Sequence, residues 1–387
     1  MARALYIHWP FCAKKCPYCD FNSHVRDQVD HEAWEAALIA DMRAEAEVAG
    51  GVSGGQALAS IFFGGGTPSL MPPRIVAALL REAERLWGFA PGIEITLEAN
   101  PSSVEADRFA ALADAGVNRV SLGVQSLEDD TLRWLGRLHT GTEALNALEV
   151  AHKAFERVTF DLIYALPGQK PEQWDRQLRQ ALDMGTSHLS LYQLTIEPGT
   201  RFATDVRRGR FAPLDDDAAA DLFAMTQDVT AAAGLPAYET SNHARIGEES
   251  RHNLTYWRYL DYAGIGPGAH GRRGGFATTR HRKPENFLKA VKERGHGIAE
   301  QRHLSNSEQA SEALLMGLRL VEGVDLDRFE KRFDIPRKAL IDQGKLAHLE
   351  AIGLIWQQTD RIGVTPAGRP LLDAVLGELV ASALVQA

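Results

Sequence analysis

Six short β-prone runs, separated by longer helix-prone stretches, fill the first 235 residues. This rhythm constrains the fold more than any other feature of the chain. Strands are predicted over 4–9, 59–63, 94–99, 119–125, 158–165 and 188–195, and helices near 30–48, 73–87, 105–115, 142–155, 171–184 and 216–233. A strand followed by a helix, six times over, builds a parallel sheet with its helices outside. The expected fold class is therefore α/β: a partial (β/α)6 barrel, open where a closed barrel would have eight units.

Beyond residue 235 the rhythm breaks. Residues 236–304 are expected to form a loop-rich connecting region, and 305–387 a small helical module. In that module SEQASEALLMGLRL and ALIDQGKLAHLEAIGLI read as helices and WQQTDRIGVTP as a hairpin, a winged-helix-like order.

Charge and hydropathy narrow the function. With 42 Lys and Arg against 51 Asp and Glu the chain carries a net charge of -9, so it lacks the electrostatic footprint of a nucleic-acid binder. The second helix of the C-terminal module supplies no basic recognition surface. No stretch approaches the roughly 20 apolar residues of a membrane span, and MARALYIHWPFC lacks a signal peptide's length and cleavage site, which together predict a cytoplasmic location. One segment runs against the overall charge. Arg272, Arg273, Arg280, Arg282 and Lys283 crowd a Gly-rich stretch that suits either an anionic ligand or a solvated basic hairpin.

All three cysteines of the chain, Cys12, Cys16 and Cys19, lie within eight positions directly after the first strand. Such clustering points to metal rather than cross-linking. Three thiolates at this spacing can hold three irons of a 4Fe-4S cubane and leave the fourth iron free. S-adenosylmethionine can chelate that iron through its amino and carboxylate groups, which sets up one-electron reduction and release of a deoxyadenosyl radical. A zinc site would want a fourth protein ligand, and only His24 stands near enough in sequence to supply it.

Polar residues recur where barrels carry function, at the carboxyl ends of strands. In GIEITLEANP, Glu94, Thr96 and Glu98 alternate with Ile93, Ile95 and Leu97, and Glu98 closes the strand. Gln125 ends RVSLGVQ in the same way, and Asp161 sits in an apolar run where an unpaired carboxylate is costly. Each suits either a ligand contact or a structural hydrogen bond. Gly64, Gly65 and Gly66 of FGGGTP either let the backbone approach a ligand or make a tight strand-to-helix turn. His252, in HNLTYW, is either an axial haem ligand flanked by porphyrin-covering aromatics or a histidine capping a turn.

The cysteine motif, taken with GGGTP, LEANP, GVQS and DLIYALPGQ, resembles the radical S-adenosylmethionine superfamily over nearly the whole chain. Within it the resemblance is to the group that contains the oxygen-independent coproporphyrinogen III oxidase HemN and the haem chaperone HemW. The resemblance implies that Tyr6, Gly65 and Glu98 contact the cluster-bound S-adenosylmethionine. It implies that Tyr18, Gly66, Thr67, Gln125, Arg137 and Asp161 line the same cavity; in the oxidase some of these serve a second S-adenosylmethionine. The oxidase pattern has a further cysteine two residues after the third, where this chain has Asp20 and Phe21, and a longer segment before the motif, where eleven residues precede Cys12. Both departures, and the HNxxYW pattern at His252, are those of the chaperone. The resemblance therefore implies a protein that carries haem as cargo to an acceptor protein, with room for a homodimer, in preference to a porphyrinogen decarboxylase.

Overall fold

The computed structural model describes residues 4–49 and 57–380. Residues 1–3, 50–56 and 381–387, which fall in the first and last of the three expected segments, lie outside the described residues.

The six expected strands form in sequence order: β1 (Ala4–Trp9), β2 (Leu58–Gly65), β3 (Phe89–Ala99), β4 (Arg119–Gln125), β5 (Arg157–Tyr164) and β6 (His188–Gln193). Each pairs in parallel with the next. Helices α1 (His31–Ala49), α2 (Pro73–Trp87), α3 (Gly141–Ala154) and α4 (Pro171–Leu182) lie in four of the crossovers, and α5 (Asp216–Ala232) follows β6. The expected helix over 105–115 divides into Ser103–Ala106 and Phe109–Asp114.

Strand alternation sorts the two faces. Leu5, Ile7, Ile61, Ile95, Leu97, Val120 and Leu122 join the helices in one apolar core, each burial contributing about 1.5–3 kcal/mol. The intervening residues face a polar interior: Arg119 donates to Thr96 Oγ1 at 3.3 Å, Arg157 pairs with Glu94 at 2.7 Å, and the Thr159 hydroxyl meets His188 Nδ1 at 2.7 Å.

The region 236–304 is not the expected loop. It holds β7 (Asn242–Ala244), α6 (Arg251–Trp257), β8 (Tyr262–Ile265), β9 (His270–Arg273), β10 (Phe276–Arg280), α7 (Pro284–Arg294) and β11 (Ile298–His303). Strand β8 adds to the free side of β1 in parallel, and the sheet grows to eleven strands in the order β11-β10-β9-β8-β1-β2-β3-β4-β5-β6-β7. The five strands of this region are only three to six residues long, so they carry no readable alternation. One glycine is required by packing: a Cβ on Gly264 would stand 1.8 Å from the carbonyl oxygen of His270.

The basic segment is mostly consumed inside the fold. Arg280, fully buried, pairs with Glu45 at 2.5 Å and Asp41 at 3.3 Å, and Arg273 also bonds Glu45, so both carboxylates of α1 clamp the β9–β10 hairpin. Arg272 lies 3.4 Å over the Tyr259 ring. That tyrosine belongs to a second core, built with Leu314, Leu326, Ile355 and Leu376 from the C-terminal module. There α8 (Asn306–Gly317) begins on a Ser305 capping box, and Ile355–Gln358 pairs with Arg361–Val364 as the expected hairpin. The expected single helix before the hairpin breaks, because Asp342 caps a new helix, Gln343–Ala351. No described helix is long and apolar enough to cross a membrane.

Candidate functional site

The chain leaves β1 through a two-residue bridge, Phe11–Cys12 beside His24–Val25, and the loop between them carries all three cysteines. A turn closed by Cys19 N–H donating to the Cys16 carbonyl, 3.2 Å, brings these two together. Burial and the neighbouring thiols push the Cys12 and Cys19 pKa values up, so undissociated thiols are favoured until a metal takes the sulfurs. Among the described residues no three His, Cys, Asp or Glu side chains converge on one point to hold a single metal ion. A cubane needs no such convergence, because each thiolate takes a different iron. His24 Nε2 lies 3.4 Å from Asn22 Oδ1.

The cysteines border a cavity of about 440 Å³ at the carboxyl ends of the strands. Tyr18, Gly65, Gly66, Thr67, Glu98, Gln125, Arg137 and Asp161 all line it. Of the residues singled out in the sequence as cofactor contacts, Tyr6 alone stands apart. Its ring lies behind Gly65 and Glu98, with the hydroxyl 3.0 Å from His8 Nδ1.

Three carboxyl residues line the cavity, Glu98, Glu105 and Asp161, and the first and last have raised pKa values. Burial, and the charge of Asp161, raise the Glu98 pKa to about 8, against which the Gly65 backbone N–H donates at 3.1 Å. Asp161 is raised to about 6 by burial, moderated by hydrogen bonding to Ser190 and by the charge of Arg119. Near neutral pH this environment favours the uncharged form of Glu98. Gln125 adopts a left-handed backbone with φ of 69°, a strained conformation of the kind that collects at ligand sites.

A hydrogen-bond relay joins two of the cysteines. Thr67 Oγ1 donates to Cys12 Sγ at 3.5 Å, Asn100 Nδ2 to Thr67 Oγ1 at 3.2 Å, Arg137 to Asn100 Oδ1 at 2.5 Å, and Arg137 again to Cys16 Sγ at 3.5 Å. Arg137 Nε is buried in the cavity wall without a partner, a donor left for a bound group. These groups fit a cluster whose sulfur ligands accept hydrogen bonds. Asn100 was absent from the sequence reading; its signal was its place two residues after Glu98 in the same strand-end motif.

His252 corrects the expected loop. Ser250 caps α6, and Glu94 accepts from the backbone N–H groups of Arg251 and His252, both at 3.2 Å, so a carboxylate on β3 draws the helix N-terminus under the barrel. The imidazole is buried, with Nδ1 3.1 Å from Ser60 Oγ and Nε2 2.7 Å from the Tyr256 hydroxyl, and burial lowers its pKa to about 3. Nor do the aromatics share one pocket. Tyr256 turns inward, whereas Trp257 lies under the Arg319 guanidinium, 4.5 Å from ring centroid to carbon.

With this geometry in hand, known proteins can be compared. Residues 6–181 match the Radical SAM superfamily and residues 304–371 the HemN C-terminal domain. The chain is 37% identical to the Heme chaperone HemW of Haemophilus influenzae, covering 96% of each, and 39% identical to the Bos taurus mitochondrial Radical S-adenosyl methionine domain-containing protein 1, covering 97% of this chain and 87% of that one. Among solved structures, the Escherichia coli radical SAM enzyme coproporphyrinogen III oxidase HemN superposes with a TM-score of 0.81 over 97% of this chain and 89% of that one, at 23% identity. That likeness establishes the fold.

Proposed function

Since the chain belongs to the HemW family within the radical SAM superfamily, we propose that it binds haem and hands it to an acceptor protein. The observation that carries this reading is the extent of the likeness: proteins named as haem chaperones match 96% of the chain at 37% and 38% identity, through both the barrel and the C-terminal module.

The iron–sulfur cluster and S-adenosylmethionine of the superfamily belong to the cysteine-lined cavity. We assign a 4Fe-4S cluster to Cys12, Cys16 and Cys19, because three thiolates and no fourth leave one iron open for the cofactor. When bound, the pair supplies one-electron chemistry. The chain's own residues do the positioning. Thr67 and Arg137 direct hydrogen bonds at sulfur, Gly65 and Glu98 meet the amino-acid end of the cofactor, and Tyr18, Gly66, Gln125 and Asp161 shape the remaining wall.

For His252 the buried geometry supports a role in holding the barrel floor. Ligation of haem iron there would require its ring to give up the Tyr256 or Ser60 partner. The alternative function, oxidative decarboxylation of coproporphyrinogen III, is favoured by the HemN-like fold but not by Asp20 and Phe21 after the third cysteine.

Anaerobically reconstituted protein should give four irons and four sulfides per chain, and on titration with ferric haem a saturable Soret band at one haem per chain. A protein with a full cluster and no saturable haem spectrum would defeat the reading.

A further inference from the structure

Across Gly65 and Glu98 from the cysteine-lined cavity lies a second one of about 410 Å³. Its walls are aromatic. Tyr6, Tyr256 and Tyr262 line it, the last two edge to face with centroids 4.5 Å apart, and burial keeps all three phenols protonated. Two exposed residues, His270 and Arg282, stand at its rim, and His8, Phe21, Asn22 and Gly268 also line it.

The backbone under these two residues is held from several sides. Asn22 Nδ2 donates to the carbonyls of both Pro267 and Arg282 at 2.9 Å, Gly266 N–H donates to Asp41 at 3.1 Å, and Gly268 N–H to the His281 carbonyl at 3.1 Å. The Gly264 backbone allows the start of β9 to press against β8 at His270. Against this fixed background the His270 imidazole has no hydrogen-bond partner among the described residues. Burial and nearby Arg282 lower its pKa, so at neutral pH a ring nitrogen carries a free lone pair. His252, directly behind the cavity wall through its bond to the Tyr256 hydroxyl, has neither nitrogen free.

A neutral imidazole, aromatic phenol rings and a guanidinium are groups that can meet iron, porphyrin edge or face, and propionate respectively. The geometry points to this second cavity as the haem seat, with His270 ligating the iron, Tyr256 and Tyr262 against the macrocycle and Arg282 pairing with a propionate. The assignment rests on the haem-carrying function proposed above and moves the ligand away from His252. A cavity of about 410 Å³ encloses only part of a porphyrin, which suits cargo that must leave again. Gly65 and Glu98 line both cavities, so the proposed haem seat adjoins the cofactor site.

The test is a ferric haem titration of the full-length, cluster-loaded protein, read at the Soret band beside a melting curve. His270→Ala should shift the band and weaken binding by at least about tenfold, with melting and iron–sulfur absorption unchanged because the ring is exposed and unpartnered. His270→Tyr should restore binding with a displaced band, a phenolate being itself a haem ligand. Arg282→Gln should weaken affinity without moving the band. A His270→Ala protein with native melting, wild-type band and wild-type affinity would overturn the assignment while leaving the haem-carrying function in place. Loss of the band in folded His252→Ala, with His270→Ala unaffected, would also overturn it. Failure of the wild-type protein to bind haem would overturn both.

Discussion

The backbone N–H of Gly65 donates to the Glu98 carboxylate at 3.1 Å, tying the glycine turn after β2 to the last polar residue of β3. One N–H is insufficient to offset burial beside Asp161, so the Glu98 pKa stands at about 8. The amino group at the amino-acid end of S-adenosylmethionine, set beside Glu98, donates hydrogen bonds that favour the ionised carboxylate. Binding below pH 8 must then release a proton. Affinity should rise with pH by up to about tenfold per unit as pH approaches 8, and level off above it. Glu98→Gln should abolish the slope, and Glu98→Ala should weaken binding by about 1.5–3 kcal/mol. Titrations of the cluster spectrum at several pH values decide this, and a pH-independent wild-type affinity would contradict it.

The same pKa has a consequence for stability. A carboxyl raised from 4.5 to about 8 in the native state favours the folded protein while protonated, so its contribution is present at low pH and lost as pH rises across that window. The cofactor-free protein should melt at a lower temperature above pH 8 than near neutrality, and Glu98→Gln should reduce the difference. Asp161, raised to about 6, adds to the lower part of the window.

Arg137 reaches Cys16 Sγ and, through Asn100 and Thr67, communicates with Cys12. A positive donor at sulfur stabilises the more electron-rich state of a cluster. Arg137→Gln should keep four irons but make the cluster harder to reduce, and Asn100→Ala should move the potential the same way by a smaller amount because it releases the guanidinium. Redox titration followed by electron paramagnetic resonance measures both. Equal potentials in wild type and Arg137→Gln would reduce the relay to packing.

Arg280 is fully buried between Asp41 and Glu45. Removing one member of such a group leaves uncompensated charge, so Arg280→Leu should cost about 3–5 kcal/mol in denaturant unfolding. Arg282, exposed two residues away, should tolerate the same substitution within about 0.5 kcal/mol.

What the sequence disclosed follows from the range of the forces involved. Alternation within β3 separated Glu98 from Ile95 and Leu97, strand-end position picked out Gln125, and an apolar run picked out Asp161, because all these signals are local. Strands β8 to β11 were legible only in part, as one reading of the basic segment as a hairpin, because runs of four to six residues carry no periodicity and β8 is fixed by pairing with distant β1. The helical state of His252 depends on Glu94, 158 residues earlier, and the fate of Arg273 and Arg280 on α1. His270 had no motif to mark it, and only the fold sets it beside Tyr256 and Tyr262.

The account as a whole turns on whether this chain carries a tetrapyrrole or alters one. The direct measurement is mass spectrometry of the tetrapyrrole recovered after cluster-loaded protein has been incubated anaerobically with S-adenosylmethionine, a low-potential reductant and coproporphyrinogen III. The account predicts coproporphyrinogen of unchanged mass, from protein that gives a saturable haem spectrum in parallel. Recovery of protoporphyrinogen, with two carboxyl groups lost as carbon dioxide, would contradict it.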